Sequence, residues 1–366
     1  KMLGVQAGEE VLLAADVGGT NARMQLWVRN SSDSRLAVDK RYPTREFNDL
    51  TSLLRRFLDE HLDAATPVHS GCIGLAGCVE DEQKQAGPKL PEQGCTGWGA
   101  DTQESIQELL PRIVKRLNLV NDCAAMGYGM LDLSKSEVIT LHAGKPKQNG
   151  IKALTAVGTG LGGCFATLAG AAPQVFSSEH GMTEFLARTE QQWRLRAWLL
   201  RTGQHEAVGG HVTVESVVSG PGLANCYAFL QEESGVENRI KPDQVTELAT
   251  TGDKLAVEAV TLFLECLGQE LRQLALRLLP RGGIYIAGGV VPRLPETLLP
   301  VLTETFTLGD KLMGDVNHLS HHATSSQSVC VCAALRICTV CACVCLYVAV
   351  SVSVAVSVSM CRACVR

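Results

Sequence analysis

The run Leu12-Leu13-Ala14-Ala15-Asp16-Val17-Gly18-Gly19-Thr20 is an apolar stretch closed by an acid, glycines and a threonine. Met24 to Val28 then returns with apolar and polar residues in partial alternation. This pattern predicts a buried strand, a tight turn and an antiparallel return strand. Gly18 and Gly19 carry no Cβ, so backbone N–H groups there can approach an anion closely. Thr20 adds a hydroxyl, and Asp16 adds a carboxylate suited to holding a hydrated magnesium ion beside a polyphosphate. Alone, the stretch is equally an ordinary Gly-Gly hairpin, and the rest of the chain decides between these readings.

A second unit of the same kind follows. Thr155-Ala156-Val157 runs into Gly158-Thr159-Gly160-Leu161-Gly162-Gly163, and Cys164 to Leu168 leads back out. Ile284-Tyr285-Ile286-Ala287 is a further strand turned by Gly288-Gly289, and Leu117-Asn118-Leu119-Val120 delivers Asn121-Asp122 at a strand end. Repetition of one strand–glycine turn–strand unit predicts two similarly built domains facing a cleft.

A length of 366 residues suits two domains with separate cores. Net charge is −5, with charged residues at 19% and aromatics at 5%, so neither a basic stripe nor a base-stacking platform is present. No nucleic-acid partner is expected. Glu9 and Glu10 interrupt the N-terminal region, so no signal peptide is expected there. Of the 15 cysteines, those from Cys72 to Cys266 are scattered singly and read as small buried apolar residues in a reducing, cytoplasmic setting.

Between these motifs, Phe47, Leu50, Leu53, Leu54, Phe57, Leu58 and Leu62 recur at helical spacing, with Thr44 placed to cap the helix. Residues 80–97 read as loop. Asp101 with Glu104 resembles a capping box, opening a helix through Ile106, Leu109 and Leu110 that Pro111 stops. Apolar residues from Leu255 to Leu278 sketch a long amphipathic helix. From Ile337 to Met360 there is no charge, and Cys-Val, Ala-Val and Ser-Val dipeptides repeat. Such a tract is long enough to span a bilayer and is also β-prone. Its low complexity is compositional, and it reads best as a repeat in which the frame has left the gene. A membrane partner is expected only if that tract is genuine.

Ala15-Asp16-Val17-Gly18-Gly19-Thr20-Asn21-Ala22-Arg23, Val120-Asn121-Asp122, Gly158-Thr159-Gly160-Leu161-Gly162, Ser219-Gly220-Pro221-Gly222-Leu223 and Ile286-Ala287-Gly288-Gly289-Val290-Val291-Pro292-Arg293 resemble, in this order, the signatures of bacterial-type glucokinases, sugar kinases of the hexokinase and actin superfamily. The resemblance implies an α/β chain of two ribonuclease-H-like, actin-like ATPase domains around a central cleft. The first domain would run over about residues 10–125 and the second over 126–310, with 311–366 an unassigned Cys/Val/Ser tail. It implies phosphorylation of glucose by MgATP. Asp122 is then the general base, and Asn121, Glu179 and Glu215 are the sugar ligands. Ala15, Asp16, Val17, Gly18, Gly19, Thr20, Gly158, Thr159, Gly160, Gly162, Gly288 and Gly289 form the ATP site, and Asp16 holds Mg²⁺ through water. A homodimer is admitted.

The departures are specific. The family writes Glu-Gly-Gly-His where this chain has Glu179-His180-Gly181-Met182, so either His180 takes that histidine's place by a local shift or one sugar contact is missing; by itself His180 reads as a solvated loop residue. Gly94 and Cys95 stand where Thr-Asn is usual, and nothing after about Leu312 matches the family's closing helix. The cysteine-rich zinc motif of the related repressor, open-reading-frame and kinase (ROK) family is absent, so no structural metal is expected. A kinase for another hexose, or a sugar- and nucleotide-binding protein without turnover, are the alternative readings.

Overall fold

A computed structural model of the chain describes residues 2–31, 33–76, 103–131, 133, 137–168, 173–203, 210–235, 240–312 and 329–331. Chain contacts divide the described residues into two units: those up to 133, with 173–175, make the first, and 137–168 with 176–331 make the second. The expected loop at 80–97, the segment around Gly94 and Cys95, the Asp101 cap and the repetitive tract at 337–360 lie outside the described residues.

In the first unit a five-stranded sheet has the order β3-β2-β1-β4-β5. The strands are β1 (Glu10–Val17), β2 (Asn21–Arg29), β3 (Ser34–Pro43), β4 (Val68–Leu75) and β5 (Ile113–Asn121). The glycine turn makes β1 and β2 antiparallel, with Val17 opposite Ala22, whereas β4 runs parallel to both β1 and β5. Parallel neighbours need crossovers. Helix α1 (Leu50–His61) supplies one, and α2 (Gln103–Leu109) precedes β5. Leu53, Leu54, Phe57 and Leu58 of α1 pack with Leu13, Ala15 and Val17 of β1 in one core. Phe57 is fully buried there, so its truncation to Ala would cost about 3–5 kcal/mol. Asp49, not Thr44, caps α1: its side chain accepts from the Ser52 N–H at 2.6 Å. Helix α3 (Asp122–Leu131) covers the sheet's other face, where Ala125 meets Ala14 and Cys72.

The second unit holds a six-stranded sheet, β6-β11-β10-β7-β8-β9. These strands are β6 (Ile139–His142), β7 (Lys152–Val157), β8 (Leu161–Thr167), β9 (Gln174–Ser178), β10 (Gly283–Ala287) and β11 (Val329–Val331). Order and direction repeat the first sheet: β7 and β8 are antiparallel across the glycine turn, while β10 and β11 continue in parallel from β7. The last member comes from the stretch beyond Leu312, which sequence reading assigned to no element. Helices α4 (Glu190–Thr202), α5 (Gly220–Glu233), α6 (Pro242–Thr250), α7 (Lys254–Leu278) and α8 (Leu299–Leu312) complete the unit. Its core gathers Phe263, Leu267 and Leu271 of α7 with Leu223 and Phe229 of α5 and Ile284 and Ile286 of β10. Among the described residues no helix is long and apolar enough to cross a membrane.

Candidate active site

Strand alternation sorts the residues of β1. Ala15 and Val17 are wholly buried in the α1 core, so their side chains serve the site only by fixing the backbone around Asp16. Asp16 belongs to the opposite face, with Ala14, where α3 packs. Asn121 closes β5 opposite Leu75, and Asp122 opens α3. Asn121 Oδ1 accepts from the N–H groups of Cys123 at 2.9 Å and Ala124 at 3.1 Å, the geometry of a helix cap. Asp122 Oδ1 accepts from the Cys123 N–H at 2.8 Å. Burial and then the charge of Asp122 push the Asp16 carboxyl up to about 7, against the pull of Arg23 and Arg41. The first hairpin is closed by the Gly18 N–H on Asn21 O at 3.0 Å. Thr44, freed from capping, donates its hydroxyl to Gly19 O at 2.7 Å and its N–H to Thr20 O at 3.1 Å. Thr20 stands exposed at the turn.

The second unit interlocks the other predicted residues. The Gly158 N–H closes its hairpin on Gly160 O at 2.9 Å, and Thr159 is exposed at the tip, as Thr20 is in the first. Gly162 is already in β8, opposite Ala156. Gly158 O accepts from the Gly220 N–H at 2.7 Å, which brings the start of α5 to the hairpin, and Ser219 caps that helix through Gly222. The Leu161 N–H donates to Glu215 Oε2 at 2.7 Å. Gly288 has φ +93° and lies so close to β7 that a Cβ would meet Val157 O at 2.2 Å. The Val290 N–H reaches the same Val157 oxygen at 3.2 Å, so the turn at Gly288-Gly289 sits at the end of the strand feeding the hairpin. Glu179 is exposed, at the start of a tight turn over His180–Met182. Gly181 O in that turn accepts the Glu215 N–H at 2.9 Å.

His180 is not a solvated loop residue: it is 6% exposed. It lies against Gly163, where a Cβ would come within 2.0 Å of His180 Cε1, and its Nε2 is 3.5 Å from Thr155 Oγ1. Burial, helped by the charge of Arg277, pushes His180 down to about 4, so the ring is neutral at physiological pH. Met182, by contrast, is 41% exposed. The need for Gly163 was missed from sequence. Its only signal was a glycine beyond those the turn itself requires.

Among known proteins, the family model described as Glucokinase matches residues 13–307. A glucokinase from Nostoc sp. is 33% identical over 309 residues, covering 78% of this chain and 85% of its own. The crystal structure of glucokinase from an Antarctic psychrotroph superposes with a TM-score of 0.71 at 25% identity, covering 93% of this chain and 99% of that one. A ROK family glucokinase from Streptomyces griseus, solved in complex with glucose and AMPPNP, shares the fold with a TM-score of 0.56 at 16% identity, over 86% of this chain and 97% of that one. The repeated sheet order, with these neighbours, is that of the actin-like ATPase fold. With the family model spanning most of the sequence and a relative of this identity and coverage, the chain belongs to the glucokinase family.

Proposed function

We propose that the chain is an ATP-dependent hexose kinase that phosphorylates glucose at its 6-hydroxyl, with Asp122 as the general base. The observation that carries the assignment of residues is the carboxyl pair Asp16 and Asp122 at strand and helix ends in one unit, where burial and then the charge of Asp122 push the Asp16 carboxyl up to about 7. Paired carboxyls whose environments differ are suited to different tasks. Asp122 takes the proton of the 6-hydroxyl as its oxygen attacks the γ-phosphorus, and the bond to the bridging oxygen of ADP breaks in line. Asp16 fits a magnesium ion held through water: its carboxyl is buried and faces the charge of Asp122, and a cation there would favour the ionised form against both. Bound magnesium supplies charge neutralisation on the polyphosphate. Backbone N–H groups of the hairpins and the exposed hydroxyls of Thr20 and Thr159 receive phosphate oxygens, and Gly288-Gly289 the adenosine.

Glu179 and Glu215 accept sugar hydroxyls, each carboxylate able to take more than one. With Asn121 Oδ1 engaged in capping α3, a sugar contact from Asn121 comes through Nδ2. A reducing cytoplasm suits the buried cysteines Cys72, Cys123, Cys164, Cys226 and Cys266. One observation favours a second reading, binding without turnover: His180 is turned into the core and Met182 is exposed on the turn after Glu179. A coupled assay with glucose, mannose and MgATP separates them. Turnover on glucose that Asp122→Ala removes supports the kinase; glucose and nucleotide binding with no turnover on either sugar overturns it.

A further inference from the structure

Three polar side chains of α7, Gln269, Glu270 and Gln273, meet Phe185, Leu186 and Val214 around one small cavity. Glu270 is 2% exposed and Gln269 7%, and side chains so buried are normally hydrogen-bonded. Each has one atom engaged and one left over. Gln192 Oε1 can only accept, and it already takes the Arg188 N–H at 2.8 Å. The Gln269 amide therefore turns its Nε2 toward that oxygen, at 3.1 Å. This leaves Gln269 Oε1 buried without a hydrogen-bond partner. Gln273 is oriented from its other end. Arg277 Nη2 donates to Gln273 Oε1 at 3.0 Å, so Gln273 Nε2 faces Glu270 Oε2 at 3.4 Å. Glu270 Oε1 is then the second buried atom without a partner.

Both leftover atoms are acceptors, and one belongs to a carboxyl. A ligand end that serves both has to donate at least twice. A ligand hydroxyl has one proton to give, whereas an ammonium has three and also balances the charge of a buried carboxylate. The cavity is about 10 Å³, room for one water-sized group, which an ammonium is and a guanidinium is not. It adjoins a groove of about 320 Å³, with which it shares Leu186, Gln269 and Gln273. That volume is in the range of small-molecule pockets. The charged walls of the groove are Arg188 and Arg272, which suit a carboxylate, and its apolar walls are the exposed side chains of Leu186 and Leu276.

We infer that α7 and the chain from Phe185 to Arg188 form a binding site for a free α-amino acid with an apolar side chain. Its ammonium donates to Glu270 Oε1 and Gln269 Oε1, its carboxylate lies toward Arg188 and Arg272, and its side chain rests on Leu186 and Leu276. The site lies within the second unit and uses none of the residues assigned to glucose or ATP, so it stands or falls apart from the kinase reading.

The test is calorimetric titration of the full chain at about pH 8, where Glu270 is ionised. Three probes of one shape divide the contacts: L-leucine, 3-methylbutan-1-amine, which lacks the carboxylate, and 4-methylpentanoate, which lacks the ammonium. L-Leucine should bind one to one with a Kd on the order of 1 mM or tighter. The amine should bind about tenfold more weakly, and the acid more weakly still. Glu270→Gln keeps the shape and loses the charge, and should weaken L-leucine about tenfold or more. Arg188→Ala should weaken L-leucine and leave the amine unchanged. Melting curves show that each variant is folded, and the substituted Arg188 is on the surface, so that arm of the comparison survives any loss in the other. No saturable binding of L-leucine up to about 10 mM overturns the site, and so does binding that Glu270→Gln leaves intact. If 4-methylpentanoate binds as tightly as L-leucine, the ammonium assignment is wrong and the proposal falls.

Discussion

The charge of Asp122 helps hold a proton on Asp16. Burial of Asp16 is the larger cause, and together they push its carboxyl up to about 7. Substituting Asp122→Asn removes the repulsion and leaves the burial. The Asp16 carboxyl, followed by carbon NMR in the ligand-free protein, should then titrate below its wild-type midpoint. If Asp122 is the base, kcat should fall by about 10²–10⁴-fold while nucleotide still binds. Near-wild-type turnover would remove Asp122 from the chemistry.

Glu270 gives a pH effect away from the site. It is 2% exposed in α7, and burial pushes its carboxyl from an ordinary 4.5 up to about 7, with Arg277 pulling the other way. A raised carboxyl pKa means that the unfolded chain ionises first as pH rises. Stability is therefore lost between about pH 4.5 and 7, and the full cost persists above. Glu270→Gln should relieve that cost, by up to about 3 kcal/mol at pH 8 and by much less at pH 5. Thermal melts at the two pH values check this, and equal shifts at both would contradict it.

Gly18 separates ligand effects from folding effects. Its nearest neighbour to an added Cβ is Asn21 O at 3.4 Å, an ordinary contact. Gly18→Val should leave the melting temperature within a few degrees and weaken ATP on the order of tenfold or more, because the added bulk meets the phosphates. Unchanged ATP affinity would refute the cradle.

Gly288 behaves oppositely. Its φ of +93° and the 2.2 Å approach to Val157 O leave no room for a side chain. Gly288→Ala should cost about 2–4 kcal/mol, seen as a lowered denaturation midpoint.

What was legible in the sequence was the punctuation. Both hairpins, the strand carrying Asn121-Asp122 and the long α7 follow from apolar runs ended by glycine, proline or a capping residue, all local signals. The partners of single polar side chains were not. Thr44 reads as a helix cap because of its spacing, yet it is drawn to Gly19 by the register of β3 on β2. His180 between Glu179 and Gly181 reads as loop. Only the fold brings Gly163 beneath its ring and so makes burial of a neutral imidazole tolerable. The link from Glu215 to Leu161 spans 54 positions and has no trace in either local pattern.

Truncation tests β11, which comes from the described residues beyond Leu312. Deleting from Thr324 removes β11, and deleting from Ala333 keeps it. The first should melt lower than the second; equal melting temperatures would mean that β11 adds no stability.

Strand β11 lies between β10 and β6, pairing Tyr285 with Cys330 and Cys330 with Thr140. On a ribosome, β6 is made early and has to wait for almost the entire second unit before its neighbour exists. Until then the open side of β10 offers unpaired backbone groups to any other nascent chain. Yield in cells should thus depend on how quickly synthesis passes residue 331, and on chaperones that cover that edge, more than on the equilibrium stability of the finished protein.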